Sequence, residues 1–291
     1  MRLVTHVTGG LERPGALVEH DGVDRLVDLA GLAPRLVDIL GDDDLLAAAR
    51  RVVRRADLAA LPLAAAVRLA PPLRPGTMLA VGYNYEGHRG PDAPEAPTTP
   101  NVFVKTAATL SGPHDDVALP SVPAQVDYEG EIAIVIGRRA RHVPQSAALA
   151  HVAGYTLFDD VTARDWQHAT SQWTLGKCFE GFGQLGPAVV TVDELGDLAG
   201  VTLEVERDGV VTARATTAQM VFPVARLVHL LSQVMTLEPG DVIATGSAAK
   251  LPEAAAAHVP MVAGDAVTIT ATGLGSLTTR FVAPTTLGES A

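Results

Sequence analysis

Cysteine is almost absent: the 291-residue chain has one, Cys178, so no internal disulfide can form. That usage suits a reducing compartment, and a cytoplasmic protein is expected. Positive charge is in the minority, with 22 Lys and Arg against 33 Asp and Glu and a net charge of −11. Such a balance argues against nucleic acid or an anionic membrane as partner. No stretch approaches the roughly 18 consecutive apolar residues of a membrane helix, and the opening MRLVTHVTGG has no apolar run of signal-peptide length. The nine histidines are scattered without an HExxH spacing, which excludes the usual zinc motif. Neither GxxxxGK[ST] nor a GxGxxG following a strand occurs, so no phosphate loop is expected.

Apolar residues make up 47 % of the chain, enough for a sizeable core. Residues 1–70 read as a small N-terminal α+β subdomain. It holds a strand at Leu3–Val7 and a hairpin whose arms, Ala16–Glu19 and Arg25–Leu29, meet at an Asp21-Gly22 turn. A helix then starts on Asp42–Asp44 and ends in arginines, as the helix dipole favours; Arg50, Arg51, Arg54 and Arg55 read as its solvated face. Pro71, Pro72, Pro75 and Gly76 mark the boundary, and residues 71–291 form the larger domain. Within it, strands are expected at Thr77–Val81, Asn101–Lys105 and Gly154–Phe158, and a hairpin over Val201–Ala215. An amphipathic helix should carry Val224, Leu227, Val228, Leu231, Val234 and Met235 on one stripe. Residues of about 84–100, rich in proline and acids without periodicity, read as a functional loop or lid, and Ala283–Ala291 as a loose tail.

The stretch Gln125–Gly137, QVDYEGEIAIVIG, organises the rest. Read as one strand, it puts Glu129 and Glu131 on a single side by period-2 alternation, at the start of a run containing Ile132, Ile134 and Ile136. Two like charges at the edge of a core are costly unless a cation lies between them, and a hard divalent metal would serve. A frayed strand start with both glutamates in water is the plainer alternative. A third carboxylate is available in Asp160, at the carboxyl end of the Gly154–Phe158 strand. Three oxygen ligands on strand ends leave about three octahedral positions for water or substrate, which suits Mg²⁺ or Mn²⁺ rather than zinc.

From residue ~75 to 282 the chain resembles the fumarylacetoacetate hydrolase family. The matching pieces, in order, are VGYNYEGH, the F-x-K of Phe103–Lys105, DYEGE with IAIVIG, AGYTLFDDVTARD, QWTLGK, QLGP, SQVMTLEPGDVIATG and a closing AGD. The resemblance implies a mainly β (α+β) fold, a mixed β-roll with a few short helices, in a homodimer that binds Mg²⁺ or Mn²⁺ through Glu129, Glu131 and Asp160. It makes His88 the catalytic histidine of the lid and Lys177 the lysine that contacts a substrate oxygen. Tyr83, Gln167 and the loop Thr245, Gly246 and Ser247 become substrate-binding positions. Arg164 joins them as a candidate and, with Asp165, as an ion-pair candidate holding the loop near the metal. Cys178 reads as a packing residue.

The implied substrate is a small-molecule 2-oxo, β-diketo or dicarboxylic acid that chelates the metal through its carboxylate and keto oxygen, with an enolate forming on the ion. Hydrolytic C–C cleavage is the first expectation. Decarboxylation or keto–enol isomerisation on the same site, or a metal-binding relative without lid chemistry, are the alternatives. Three departures bear on that choice. Family members that hydrolyse acylpyruvates pair the histidine with a glutamate three residues on, where this chain has Pro91; Asp92 and Glu95 are candidate substitutes. The family's T-G-T-P loop appears as Thr245-Gly246-Ser247-Ala248-Ala249-Lys250, and Lys105 precedes Thr106 instead of proline. These point to an altered substrate or an altered reaction.

Overall fold

The stretch read as one strand from Gln125 to Gly137 breaks in two, at Val126–Asp127 and Gly130–Ile136. The break falls on Tyr128 and Glu129, because the Glu129 N–H turns aside to donate to the Asp159 carboxylate at 3.1 Å. Glu129 therefore stands just before the strand that carries Glu131. The isoleucines face the other way from Glu131: Ile132, Ile134 and Ile136 enter one core, while Ala133 and Val135 enter another. A computed structural model gives these relations and describes residues 1–88, 97–122 and 124–284. Residues 89–96 of the expected lid, with Pro91, Asp92 and Glu95, and the tail beyond residue 284 lie outside the described residues.

The Gly130–Ile136 strand lies at the middle of a long mixed sheet. In spatial order the strands are Val23–Asp28, Leu11–His20, Arg2–Thr8, Gly183–Thr191, Val152–Asp160, Gly130–Ile136, Val242–Ser247, Met78–Gly82 and Asn101–Lys105. Neighbours are antiparallel except Val242–Ser247 and Met78–Gly82, which run parallel. The N-terminal strands join this sheet directly, through Arg2 opposite Val190. A second sheet orders Val210–Thr216, Thr202–Arg207, Ala266–Ala271, Gly275–Val282 and Val117–Ala118. The Asp208-Gly209 turn closes its first hairpin with both residues at positive φ.

The main core fills the space between the sheets, where Ile132 and Ile134 meet Leu203, Val205, Ile269 and Leu277, all buried. The helix Val224–Val234 covers it with Val224, Leu227, Val228 and Leu231. Val234, the last residue of the helix, leaves the expected stripe at 74 % exposure, while Met235 just beyond it packs against the core. On the other face of the long sheet, Ala133 and Val135 pack with Leu36, Ile39 and Ala49 of the N-terminal helices. The helix Asp43–Arg55 begins where the Asp42 side chain accepts from the Asp44 and Leu45 N–H groups, and Arg51, Arg54 and Arg55 face water as expected. Among the described residues no helix is long and apolar enough to cross a membrane.

Candidate metal centre

The pairing of the Val152–Asp160 strand with Gly130–Ile136 gathers the acidic residues. It sets Gly130 opposite Asp159 and Glu131 opposite Phe158. Glu129 returns to the ladder through its carbonyl, which accepts from the Asp160 N–H at 2.9 Å. One carboxylate oxygen from each of Glu129, Glu131 and Asp160 then lies within 4.8 Å of the others. Asp160 and Glu131 are buried, at 0 % and 1 % exposure.

Cations hold two of the three carboxylates. Lys177 Nζ donates to Glu129 Oε2 and Asp160 Oδ2, each at 2.6 Å. Arg164 Nη1 lies 2.6 Å from Glu129 Oε1, and Lys105 Nζ donates to Asp160 Oδ1 at 2.5 Å and to the Phe182 carbonyl at 2.6 Å. Burial works against the ionised Glu129, but Lys177 and Arg164 overcome it and hold the carboxyl well below the usual range. The same opposition acts on Lys177: burial favours the neutral amine, and Asp160 with Glu129 reverses that and raises its pKa. Lys105 goes the other way, its pKa lowered by complete burial despite Asp160.

Glu131 is the exception. Among the described residues its carboxylate has no ion-pair partner within 4.0 Å, and its hydrogen bond comes from the Gly246 N–H at 2.7 Å. Burial, then Asp160, then Glu129 push its pKa well above the ordinary carboxylate value. A buried carboxylate beside two others, without a cation of its own, fits a hard divalent ion coordinated by all three. The oxygens that already accept from lysine or arginine each keep a second lone pair for a metal. The donor set is all oxygen, which suits Mg²⁺ or Mn²⁺ and disfavours zinc.

Two cavities of about 270 and 280 Å³ open on this centre and share His88, Glu129, Arg164 and Ser247 as a partition. The one on the metal side is walled by Tyr83, Phe103, Trp173, Gln167 and Lys177. Its aromatic rings meet edge to face: Tyr83 lies 5.5 Å from Trp173 and 5.6 Å from His88, and Phe103 lies 5.4 Å from Trp173. Lys177 Nζ sits 4.9 Å from the Phe103 ring centroid. Gly82 lets the indole close in, since a Cβ there would lie 2.5 Å from Trp173. His88 Nδ1 is 3.1 Å from the Ser247 carbonyl. A carbonyl can only accept, so Nδ1 carries the hydrogen in the neutral ring and Nε2 keeps its lone pair.

The remaining sequence-predicted positions divide. Ser247 lines both cavities and anchors His88 through its carbonyl. Gly246 serves Glu131 through its N–H. Thr245 is not brought to either cavity: it is fully buried and its hydroxyl donates to the Ile132 carbonyl at 2.8 Å. Gln167 accepts from Arg164 Nη1 at 3.0 Å, so it orients the guanidinium. The expected pairing of Arg164 with Asp165 does not form. Arg164 Nε binds Asp127 at 2.9 Å, while Asp165 accepts from the Gln125 N–H at 2.9 Å; on the turn of helix that starts at Arg164 the two neighbouring side chains diverge. Cys178 is half-buried with its thiol 3.6 Å from the Val104 carbonyl, a packing position.

Residues that sequence reasoning left without a role are Lys105, Asp127, Phe103, Trp173 and Lys250. A signal existed for Asp127, which stands two residues before Glu129 in an alternating D-x-E-x-E. For Trp173 there was none, since its place depends on Gly82, which is remote in sequence.

Residues 77–282 match the family described as fumarylacetoacetate (FAA) hydrolase, C-terminal. The chain is 38 % identical over 256 residues to the mitochondrial oxaloacetate tautomerase FAHD2A of Bos taurus, covering 85 % of this chain and 81 % of that protein. Among solved structures, 5-carboxymethyl-2-hydroxymuconate delta-isomerase from Mycobacterium smegmatis aligns with a TM-score of 0.78 at 31 % identity, over 97 % of this chain and 100 % of that one. Maleylpyruvate hydrolase from Sphingobium sp. SYK-6, solved with manganese(II) and pyruvate, aligns with a TM-score of 0.79 at 26 % identity, over 98 % and 100 %. With the family match spanning the whole carboxylate centre, and with relatives that are tautomerases, isomerases and hydrolases, this chain belongs to the fumarylacetoacetate hydrolase family.

Proposed function

We propose that this protein is a divalent-metal-dependent enzyme that interconverts the keto and enol forms of a 2-oxo acid. The observation that carries the reading is the buried Glu131 carboxylate, left without an ion partner among the described residues beside Glu129 and Asp160. Glu129, Glu131 and Asp160 would hold Mg²⁺ or Mn²⁺, and the ion when bound would polarise the substrate's carboxylate and 2-oxo group as a Lewis acid.

The protein's own groups then account for the proton movement. His88, with Nδ1 donating to the Ser247 carbonyl, presents Nε2 as the base for the proton at C3. The electron pair of that C–H bond becomes the C2–C3 double bond while the carbonyl π pair moves to the 2-oxo oxygen, giving the enolate. Lys177, kept as an ammonium by Asp160 and Glu129, donates a hydrogen bond to the oxygen as its charge grows. Transfer of that proton from His88 Nε2 to the enolate oxygen gives the enol, and the reverse transfers, from the oxygen to Nε2 and on to C3, restore the keto form. The edge of Tyr83 against His88, itself braced by Trp173 and Phe103, keeps the imidazole oriented.

Proton transfer alone needs one base, which this arrangement supplies, and it accords with the identity to an oxaloacetate tautomerase. Hydrolytic C–C cleavage, the first expectation from sequence, is the second reading, supported by the likeness to maleylpyruvate hydrolase. It requires a water aimed at a distal carbonyl, and with Pro91 at the family's glutamate position His88 would have to activate it. The test is to supply oxaloacetate and acetylpyruvate with Mn²⁺ and follow enol absorbance and product mass together. Loss of the enol signal without a change of mass supports tautomerisation. Pyruvate with acetate from acetylpyruvate moves the assignment to a hydrolase, and carbon dioxide from oxaloacetate above the metal-only rate moves it to a decarboxylase.

A further inference from the structure

We infer that Asn84 is a positioning residue that fixes the base His88 and the carboxylate Glu131 relative to each other. The inference rests on the reading of His88 as the proton carrier and of Glu131 as a metal ligand. Asn84 itself is fully buried, at 0 % exposure, and lines neither cavity. Its carboxamide is used to capacity. The Phe222 N–H donates to Oδ1 at 2.8 Å, and because an N–H can only donate, this fixes which end of the amide is oxygen. Nδ2 then gives one hydrogen to the Thr245 carbonyl at 2.7 Å and the other to the Phe222 carbonyl at 3.2 Å. Leucine and ionised aspartate have the same branched shape but no hydrogen to give, so neither can replace it.

Two routes lead from that amide to the chemistry. The Thr245 carbonyl belongs to the same peptide group as the Gly246 N–H, which donates to Glu131 Oε2 at 2.7 Å. Asn84 therefore fixes the plane of that peptide, and its hydrogen bond polarises the N–H toward the carboxylate. Packing keeps the two residues together, since a Cβ on Gly246 would lie 3.0 Å from the Asn84 Cβ.

The second route is the short arm of chain from Asn84 to His88. Its root is pinned along the segment that ends at Phe222: the Val221 N–H donates to the Asn84 carbonyl at 2.8 Å, Tyr85 bridges to Met220, and the Glu86 N–H donates to the Gln219 carbonyl at 2.9 Å. Its far end returns to the loop that Asn84 holds, where His88 Nδ1 donates to the Ser247 carbonyl at 3.1 Å. His88 and Glu131 thus both take their positions from Thr245-Gly246-Ser247, and Asn84 ties that loop to the root of the arm. Tyr83, just before it, is held at φ +59°, a conformation that a residue with a Cβ adopts only at a cost, so the arm depends on the clamp to stay in place.

The test is Asn84→Ala. The space it leaves is polar, with one N–H and two carbonyls around it, so a water can satisfy these groups and let the chain fold without holding them in place. Calorimetry with Mn²⁺ counts the sites and gives their affinity, and rates of oxaloacetate enol–keto conversion are expressed per filled site. Mn²⁺ is expected to bind about tenfold more weakly, as when a group that orients a metal ligand is lost. Per filled site, kcat should fall about 10–100-fold while KM stays within about threefold. Either affinity or kcat at its wild-type value overturns the assignment, since a purely structural asparagine would lower only the number of sites and the melting temperature. A measurement on the wild type covers a variant that fails to fold: in an NMR titration with Mg²⁺ the Asn84 side-chain amide resonance should move in step with saturation, and a resonance that stays in place overturns the assignment. If the wild type converts no 2-oxo acid, the functional reading fails, while the Mn²⁺ affinity of the variant and the amide shift still decide the role of Asn84.

Discussion

Replacing Glu131 by glutamine is expected to stabilise the metal-free protein and remove its response to metal. Glu131 is buried, accepts one hydrogen bond from the Gly246 N–H, and lies within 4.8 Å of two other carboxylates. At that separation and an effective dielectric of about 20, each like-charge neighbour costs about 3 kcal/mol, and Lys177 offsets roughly one of the two. Glutamine keeps the size and the acceptor for Gly246 while removing the charge. A gain of about 1–4 kcal/mol follows, the range seen when buried ionic groups are replaced by uncharged residues of similar volume. For a chain of this size each kcal/mol raises the melting temperature by about 2 °C or slightly more. The wild type, by contrast, should gain about 2.7 kcal/mol from Mn²⁺ at 100 times Kd, and the variant almost none. Thermal unfolding of both proteins, with Mn²⁺ and with chelator, reads all four states. A glutamine variant that melts lower than wild type in chelator, or that keeps the full rise with Mn²⁺, would refute the assignment of Glu131 as a frustrated metal ligand.

Four other outcomes follow from the same geometry. His88→Ala should lower turnover by about 10²–10⁴-fold with Mn²⁺ affinity unchanged by calorimetry; equal loss of both would remove His88 from proton transfer. Lys105→Met should cost about 3 kcal/mol in chemical denaturation, because Asp160 loses a fully buried partner. Gly246→Ala should destabilise by about 1–3 kcal/mol and weaken Mn²⁺ binding, since at φ +98° its Cβ would meet the Val81 carbonyl at 2.8 Å and displace the N–H that serves Glu131. Asp159 gives a pH dependence. Burial raises its pKa from 3.8 to about 6, so between those values the folded state binds more protons than the unfolded state, and its contribution to stability falls as pH rises through 6. The fall is on the order of 3 kcal/mol, and Asp159→Asn should remove it from a series of unfolding curves between pH 4 and 8.

The Asp159 case has a structural cause. The Thr279 hydroxyl lies 2.7 Å from Asp159 Oδ2 and 2.5 Å from Gln184 Oε1, yet has one hydrogen. Gln184 Nε2 donates to the Gly112 and Asp115 carbonyls, which fixes Oε1 as an acceptor. A proton on Asp159, or the amide of asparagine, completes the row.

Much of this arrangement was legible in the sequence where the signal is local. The Asp21-Gly22 and Asp208-Gly209 turns, the Asp42 cap and the apolar run after Gly130 each state their own structure within a few residues. The Glu129–Glu131–Asp160 cluster was readable from alternation and from a strand end, although Glu129 reaches it from outside the strand. What could not be read is what long-range pairing decides. Lys105 meets Asp160 across 55 residues, and Trp173 finds its place because Gly82 has no side chain. Thr245 looked like a site residue beside Gly246 and Ser247, but strand alternation turns its hydroxyl to the Ile132 carbonyl.

The central claim is that the three carboxylates hold a divalent ion on which 2-oxo acid chemistry depends, and the rate of oxaloacetate enol–keto conversion with and without Mn²⁺ tests it most directly. The account predicts conversion well above the protein-free rate with Mn²⁺, loss of that rate in chelator, and its return on re-addition of Mn²⁺ to the wild type but not to Glu131→Gln. Conversion that is unchanged by chelator, or restored equally in the Glu131→Gln variant, would contradict it.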